Sequence, residues 1–114
     1  MAAWIDIFPK THLVGTFAQS TFQATDTATF KTGTLQVWVD GLLAGDSVSV
    51  VVQDADFNEE RDFAASDNPS LAFSSDGSQL LRVSLPRRFA RLQVVPTLGT
   101  AEGINVRAEL TLMG

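Results

Sequence analysis

Apolar and polar residues alternate with a period of two along most of this chain. In Gly33–Asp40, Leu35, Val37 and Val39 take one side while Gln36 and Trp38 take the other. Asp46–Gln53 repeats the pattern with Val48, Val50 and Val52. In Ile104–Leu112 the apolar Ile104, Val106, Ala108, Leu110 and Leu112 are separated by Asn105, Arg107, Glu109 and Thr111. Successive side chains of a strand point to opposite faces, so this alternation predicts antiparallel strands with one buried and one wet face. Less regular strands are expected over His12–Ala18, Thr21–Lys31 (broken near Thr25-Asp26), Leu71–Ser74, Gln79–Leu85 and Phe89–Val95. Turn-forming residues separate them: Gly41 to Asp46, Asn68-Pro69, Asp76-Gly77, Pro86, and Gly99 to Gly103. Seven or eight short strands so spaced predict an all-β fold, an antiparallel β-sandwich that is jelly-roll-like. No stretch holds a 3.6-residue period, and only Asp56–Ala65 has room for a helical turn.

The first ten residues break the pattern. Trp4, Ile5, Ile7 and Phe8 crowd together and end at Pro9, which predicts an extended N-terminal arm over residues 1–10 ahead of one sandwich domain over 11–114. Such an arm either folds onto its own sandwich or reaches a neighbouring chain. It has no basic stretch followed by a long apolar one, so no secretory leader is expected. No apolar run elsewhere is long enough to span a membrane.

A chain of 114 residues suits one domain with its own core. Cysteine is absent, which excludes disulfides, thiol chemistry and Cys-based zinc sites. The net charge of −5 is unevenly spread: residues 1–39 balance, 40–77 carry nine acids against Arg61, and 78–114 carry five arginines against Glu102 and Glu109. A solvated mixed surface accounts for this, as does pairing between an acidic and a basic region of partner chains. Nucleic acid is not an expected partner, because binding usually calls for a basic domain.

Catalytic chemistry has little to work with. His12 is the only histidine, and no G-x-S-x-G elbow or glycine-rich phosphate loop occurs. Metal and cofactor are not expected, and neither is enzymatic activity. Asp54-Ala55-Asp56-Phe57-Asn58 begins like a calcium loop, but Glu59 replaces the glycine and Ala65 the final glutamate. An irregular calcium loop within residues 54–67 stays open beside a plain solvated loop. For binding, the candidates are Arg87, Arg88 and Arg91, with Arg91 sharing a strand face with Phe89 and Gln93, and able to pair bidentately with carboxylates. Trp38 points away from the Leu35, Val37 and Val39 face and is either covered or available to a partner or a sugar.

Four segments carry a resemblance. They are Leu35-Gln36-Val37-Trp38-Val39, Asp46–Phe57, and Leu80-Leu81-Arg82-Val83-Ser84-Leu85-Pro86-Arg87-Arg88-Phe89-Ala90-Arg91-Leu92-Gln93-Val94, closing on Gly99-Thr100-Ala101-Glu102-Gly103. Together, over residues 33–112, they resemble the small capsid cement, or decoration, proteins of tailed bacteriophages. The match lies in a valine-alternating strand leading into an acidic loop, a leucine-proline strand with arginines, and a glycine-threonine turn before the last strand. The resemblance implies a jelly-roll-like sandwich that binds the phage major capsid protein on the outside of an assembled head. It further implies a homo-oligomer, a trimer at local three-fold sites or a dimer at two-folds, located on the virion after assembly in the host cytoplasm. On this expectation Trp4, Ile5, Ile7 and Phe8 contact the capsid while Arg87, Arg88 and Arg91 pair with its acids. The alternative is a carbohydrate- or receptor-binding module built from Trp38 and the acidic loop.

Overall fold

Each strictly alternating segment forms a strand in the computed structural model, which describes residues 2–27, 30–99 and 101–113. Positions 28 and 29 of the expected Thr21–Lys31 strand, position 100 of the glycine turn, and Met1 lie outside the described residues. The strands are β1 (Ala2–Leu13), β2 (Phe17–Ala18), β3 (Thr25–Asp26), β4 (Thr32–Asp40), β5 (Ser47–Ala55), β6 (Ala64–Ala65), β7 (Leu71–Phe73), β8 (Gly77–Ser84), β9 (Phe89–Thr97) and β10 (Ile104–Met113). One 3-10 turn, Glu60–Asp62, lies in the segment where a helical turn was expected.

The strands make two antiparallel sheets. The first runs β1-β10-β4-β8 and the second β2-β9-β5-β6, with β3 also on β9 and β7 also on β5. This is an all-β sandwich. Its core is the set of inward residues the alternation marks: Leu35, Val37 and Val39 face Val48, Val50 and Val52, joined by Leu92, Val94 and the five apolar residues of β10. Burying side chains of this size stabilises the fold by about 1.5–3 kcal/mol each. Gly33 is needed in β4 because a Cβ there would sit 2.7 Å from the Thr111 carbonyl oxygen. Gly41, at φ 96°, turns the chain from one sheet to the other, a conformation that glycine adopts without steric cost.

Residues 2–10 are not an arm. They belong to β1, which pairs antiparallel with β10 from Ala2↔Met113 to Leu13↔Ile104. Two bulges, between Ile5 and Phe8 and between Phe8 and Thr11, hid the period from the sequence. An extra residue at each bulge shifts the side-chain alternation, so Ile7 and Phe8 both turn inward although they are neighbours. The edge they form is guarded by these bulges, by Pro9, and by exposed Asp6 and Lys10, devices that discourage pairing with another chain. The expected His12–Ala18 strand is likewise divided. Val14–Thr16 carries the chain across to the second sheet, where only Phe17 and Ala18 pair with β9.

Candidate binding surfaces

Arg91 lies on the outer face of the second sheet, opposite Gln53 on β5, as the alternation indicates. It is nevertheless only 3% exposed. The 3-10 turn and Phe63 fold over it: Nη1 and Nη2 donate to Glu60 at 2.7 and 2.9 Å, and the guanidinium stacks 4.3 Å from the Phe63 ring centroid. Nε donates to Gln53 Oε1 at 2.7 Å and Nη1 to the Gln19 carbonyl at 2.7 Å. The hydrogen bonds from Arg91 hold the Glu60 carboxyl below the usual glutamate range. Arg91 is therefore an internal brace and not the partner-facing cation expected of it. Period-two reasoning finds the face of a residue but is blind to a loop that later covers that face.

Gln19 is the second brace. Its side chain is buried, with Nε2 donating to the Ile7 carbonyl at 2.6 Å and Oε1 accepting from the Leu92 amide at 2.9 Å. The two braces hold two loops at the end of the sandwich where β5 finishes at Ala55 and β9 starts at Phe89. Asn58 ties the loops together by donating to the Thr21 carbonyl at 3.1 Å. Each loop displays a phenylalanine outward: Phe22 is 99% exposed and Phe57 69%. Two large aromatic side chains left in water on pinned loops make this end a candidate interaction surface. Neither position has strict alternation around it, so alternation could not single them out.

Arg87 and Arg88 reach the same end from the β8–β9 link. Arg88 forms a two-point pair with Asp26 at 2.9 and 3.1 Å, which raises its pKa, and stacks 5.2 Å from the Phe89 ring. Arg87 sits 3.7 Å from Asp54 with half its side chain in solvent. Burial pushes the Asp54 carboxyl above its usual range, and Arg87 only partly opposes that shift. Among the described residues no group of three or more His, Cys, Asp or Glu is placed to hold a metal ion.

The outward side chains of β4 and β10 on the first sheet are partly exposed. Trp38 is one of them, with Arg107 directly across on β10, the guanidinium 4.8 Å from the ring centroid. Arg107 also pairs with Glu109 at 3.0 Å. Trp4, 61% exposed, lies on the same sheet opposite Thr111, while Ile5 is partly buried and Ile7 and Phe8 are core residues. Packing inside leaves those last two with no surface to offer, which removes them from the expected contact set. Trp38 and the acidic loop are also separated. Trp38 is two residues from the end of β4, and the short link to β5 reverses the chain, so residues 54–67 belong to the opposite end. The sugar-and-calcium pair expected as an alternative is thus not brought together.

The sequence matches no protein-family model and no curated protein. Among the described residues no helix is long and apolar enough to cross a membrane.

Proposed function

We propose that this protein is a structural cement protein that binds the outer surface of an assembled phage head and stabilises the shell. The observation that carries the reading is the pair of braced loops presenting Phe22 and Phe57. Aromatic anchors flanked by arginines are what protein interfaces concentrate their binding energy in, and Arg87 and Arg88 stand at the same end. The strand order adds support. Passing between sheets, with the first strand paired to the last and β9 between β5 and the β2–β3 strands, is compatible with a jelly roll, an architecture used by capsid proteins among others. The resemblance over residues 33–112 points the same way.

On this reading the contact set is Phe22, Phe57, Arg87 and Arg88, with Trp4 near the same end of the first sheet. The partner is the major capsid protein, and the location is the virion surface. Binding that occurs only to the assembled lattice stabilises that lattice by mass action. Decoration at local three-fold sites favours a trimer, with a dimer at two-folds as the alternative; light scattering on the purified protein separates them.

The test is co-sedimentation with purified heads of the virus that carries the gene, with free capsid subunits as the control. The wild type should sediment with heads and not with subunits. Replacing Phe22 and Phe57 together by Ala should lower the bound fraction at least tenfold, the scale of about 1.4 kcal/mol or more expected of aromatic anchors. Neutralising Arg87 and Arg88 should lower it less. Undiminished binding by the double phenylalanine variant would remove this surface, and absence of wild-type binding to heads would remove the function.

A further inference from the structure

A second site is built into the outer face of the first sheet, at the other end of the molecule from the phenylalanine loops. Trp38 forms its floor. Its neighbour on β8 is Ser78, beside Gly77, and these two small residues leave a step next to the indole instead of a filled sheet surface. On the opposite side Lys10, within the second bulge of β1, also lines the space. The result is an open recess of about 440 Å³ lined by Trp38, Lys10, Asp40, Asp76, Asn105 and Arg107. That volume falls within the range of small-molecule sites.

The polar groups around the recess are held in place by bonds that use only part of their capacity. Asp40 Oδ1 accepts from Asn105 Nδ2 at 3.1 Å, and Asp76 Oδ1 accepts from the Leu42 amide at 2.8 Å. Asn105 Oδ1 lies 3.2 Å from His12 Nδ1, so the amide is held from both sides. The Oδ2 atoms of both aspartates, the Trp38 indole N–H, the Ser78 hydroxyl and the Lys10 ammonium have no partner among the described residues. Positioned carboxylate acceptors and uncommitted donors thus line the same recess as the indole.

The charge balance selects the ligand class. Lys10 and Arg107 offset Asp40 and Asp76, and Arg107 is already engaged by Glu109. An incoming anion meets the two aspartates. An incoming cation is repelled by Lys10 and by Arg107, which already holds the cation–π contact with the Trp38 ring. A neutral molecule with apolar C–H faces and many hydroxyls meets neither charge: it lies against the part of the indole that Arg107 leaves open and exchanges hydrogen bonds with carboxylates that accept and an ammonium that donates. We infer that the Trp38 recess is a binding site for a neutral saccharide. The site uses no metal and does not involve the acidic loop 54–67. It shares no residue with the phenylalanine surface, so it stands or falls separately from the cement reading.

The experiment is an array of neutral gluco-, manno-, galacto- and N-acetylglucosamine oligosaccharides, with sialylated and sulfated ones beside them. Each responding sugar is then titrated against intrinsic fluorescence in a Trp4→Phe background, where Trp38 is the only indole. The expected result is a saturable change in Trp38 emission with at least one neutral oligosaccharide, unaffected by calcium chelation. Ser78→Tyr, which fills the step from an exposed strand position, should weaken that titration at least tenfold, as should Asp40→Asn combined with Asp76→Asn. Phe22→Ala with Phe57→Ala should leave it unchanged. A blank array, binding confined to the charged sugars, or full binding by Ser78→Tyr with native circular dichroism would each overturn the inference.

Discussion

Arg91 and Arg107 occupy equivalent places in the pattern: each sits on the outer face of a central strand, and each lies against an aromatic ring. Their surroundings differ. Arg91 is covered by a loop, satisfied by Glu60, Gln53 and the Gln19 carbonyl, and almost excluded from water. Arg107 keeps 43% of its side chain exposed, with one carboxylate partner beside the Trp38 recess. The first arginine joins two loops to the sheet and thereby sets where Phe22 and Phe57 stand. The second shapes a surface without holding the fold together. The same residue type in the same register therefore does structural work under a cover and surface work without one, because desolvation makes each of its bonds count for more.

That contrast can be broken by experiment. Arg91→Ala should destabilise the protein by about 3 kcal/mol in urea denaturation, because it strips partners from a buried carbonyl and from Gln53 and empties the space under Phe63. Phe63→Ala should cost about 2 kcal/mol by the same assay, through lost burial and a lost desolvated cation–π contact. Arg107→Ala should cost less than about 1 kcal/mol, as exposed pairs do. Equal losses for the two arginines would show that the cover over Arg91 contributes nothing.

The acid response sharpens the comparison further. Glu60 has a depressed carboxyl pKa in the folded protein, so its contribution is present above the ordinary carboxylate value and fades as pH falls below about 4.5. The protection of amides in residues 57–65, relative to their intrinsic exchange rates, should fall across that window in the wild type and lose this acid dependence in Glu60→Gln. Asp54 works in the opposite direction. Its pKa is raised by burial, so the proton is bound more readily in the folded state and the contribution is lost as pH rises through the folded value. Asp54→Asn should therefore leave stability at neutral pH unchanged or slightly higher, with Arg87 left less anchored; a clear loss at neutral pH would mean that the Arg87 contact outweighs burial.

Strand identity and inward faces were legible wherever alternation was strict, as in β4, β5 and β10, since a period of two admits only one register against a core. β1 was not legible. Its two bulges place Ile7 and Phe8 inward side by side, which in a sequence looks like a sticky arm and in space is a paired strand. The candidate surfaces divide similarly. Trp38, Arg87 and Arg88 were visible as residues whose chemistry exceeds what a core needs, and all three lie at or near the surface. Phe22 and Phe57 were not visible, because a phenylalanine among turn residues gives no sign of whether it will be folded under or left out.

Residue type and local spacing were enough for the all-β class, the inward faces of the regular strands, and a composition with one histidine and no cysteine. Only the tertiary structure decided which outer face is covered, that Arg91 is a brace, that β1 closes against β10, and that Lys10, Asp40 and Asp76 meet around Trp38. These depend on contacts between residues far apart in the chain, and local period carries no information about what a distant loop will come to rest on.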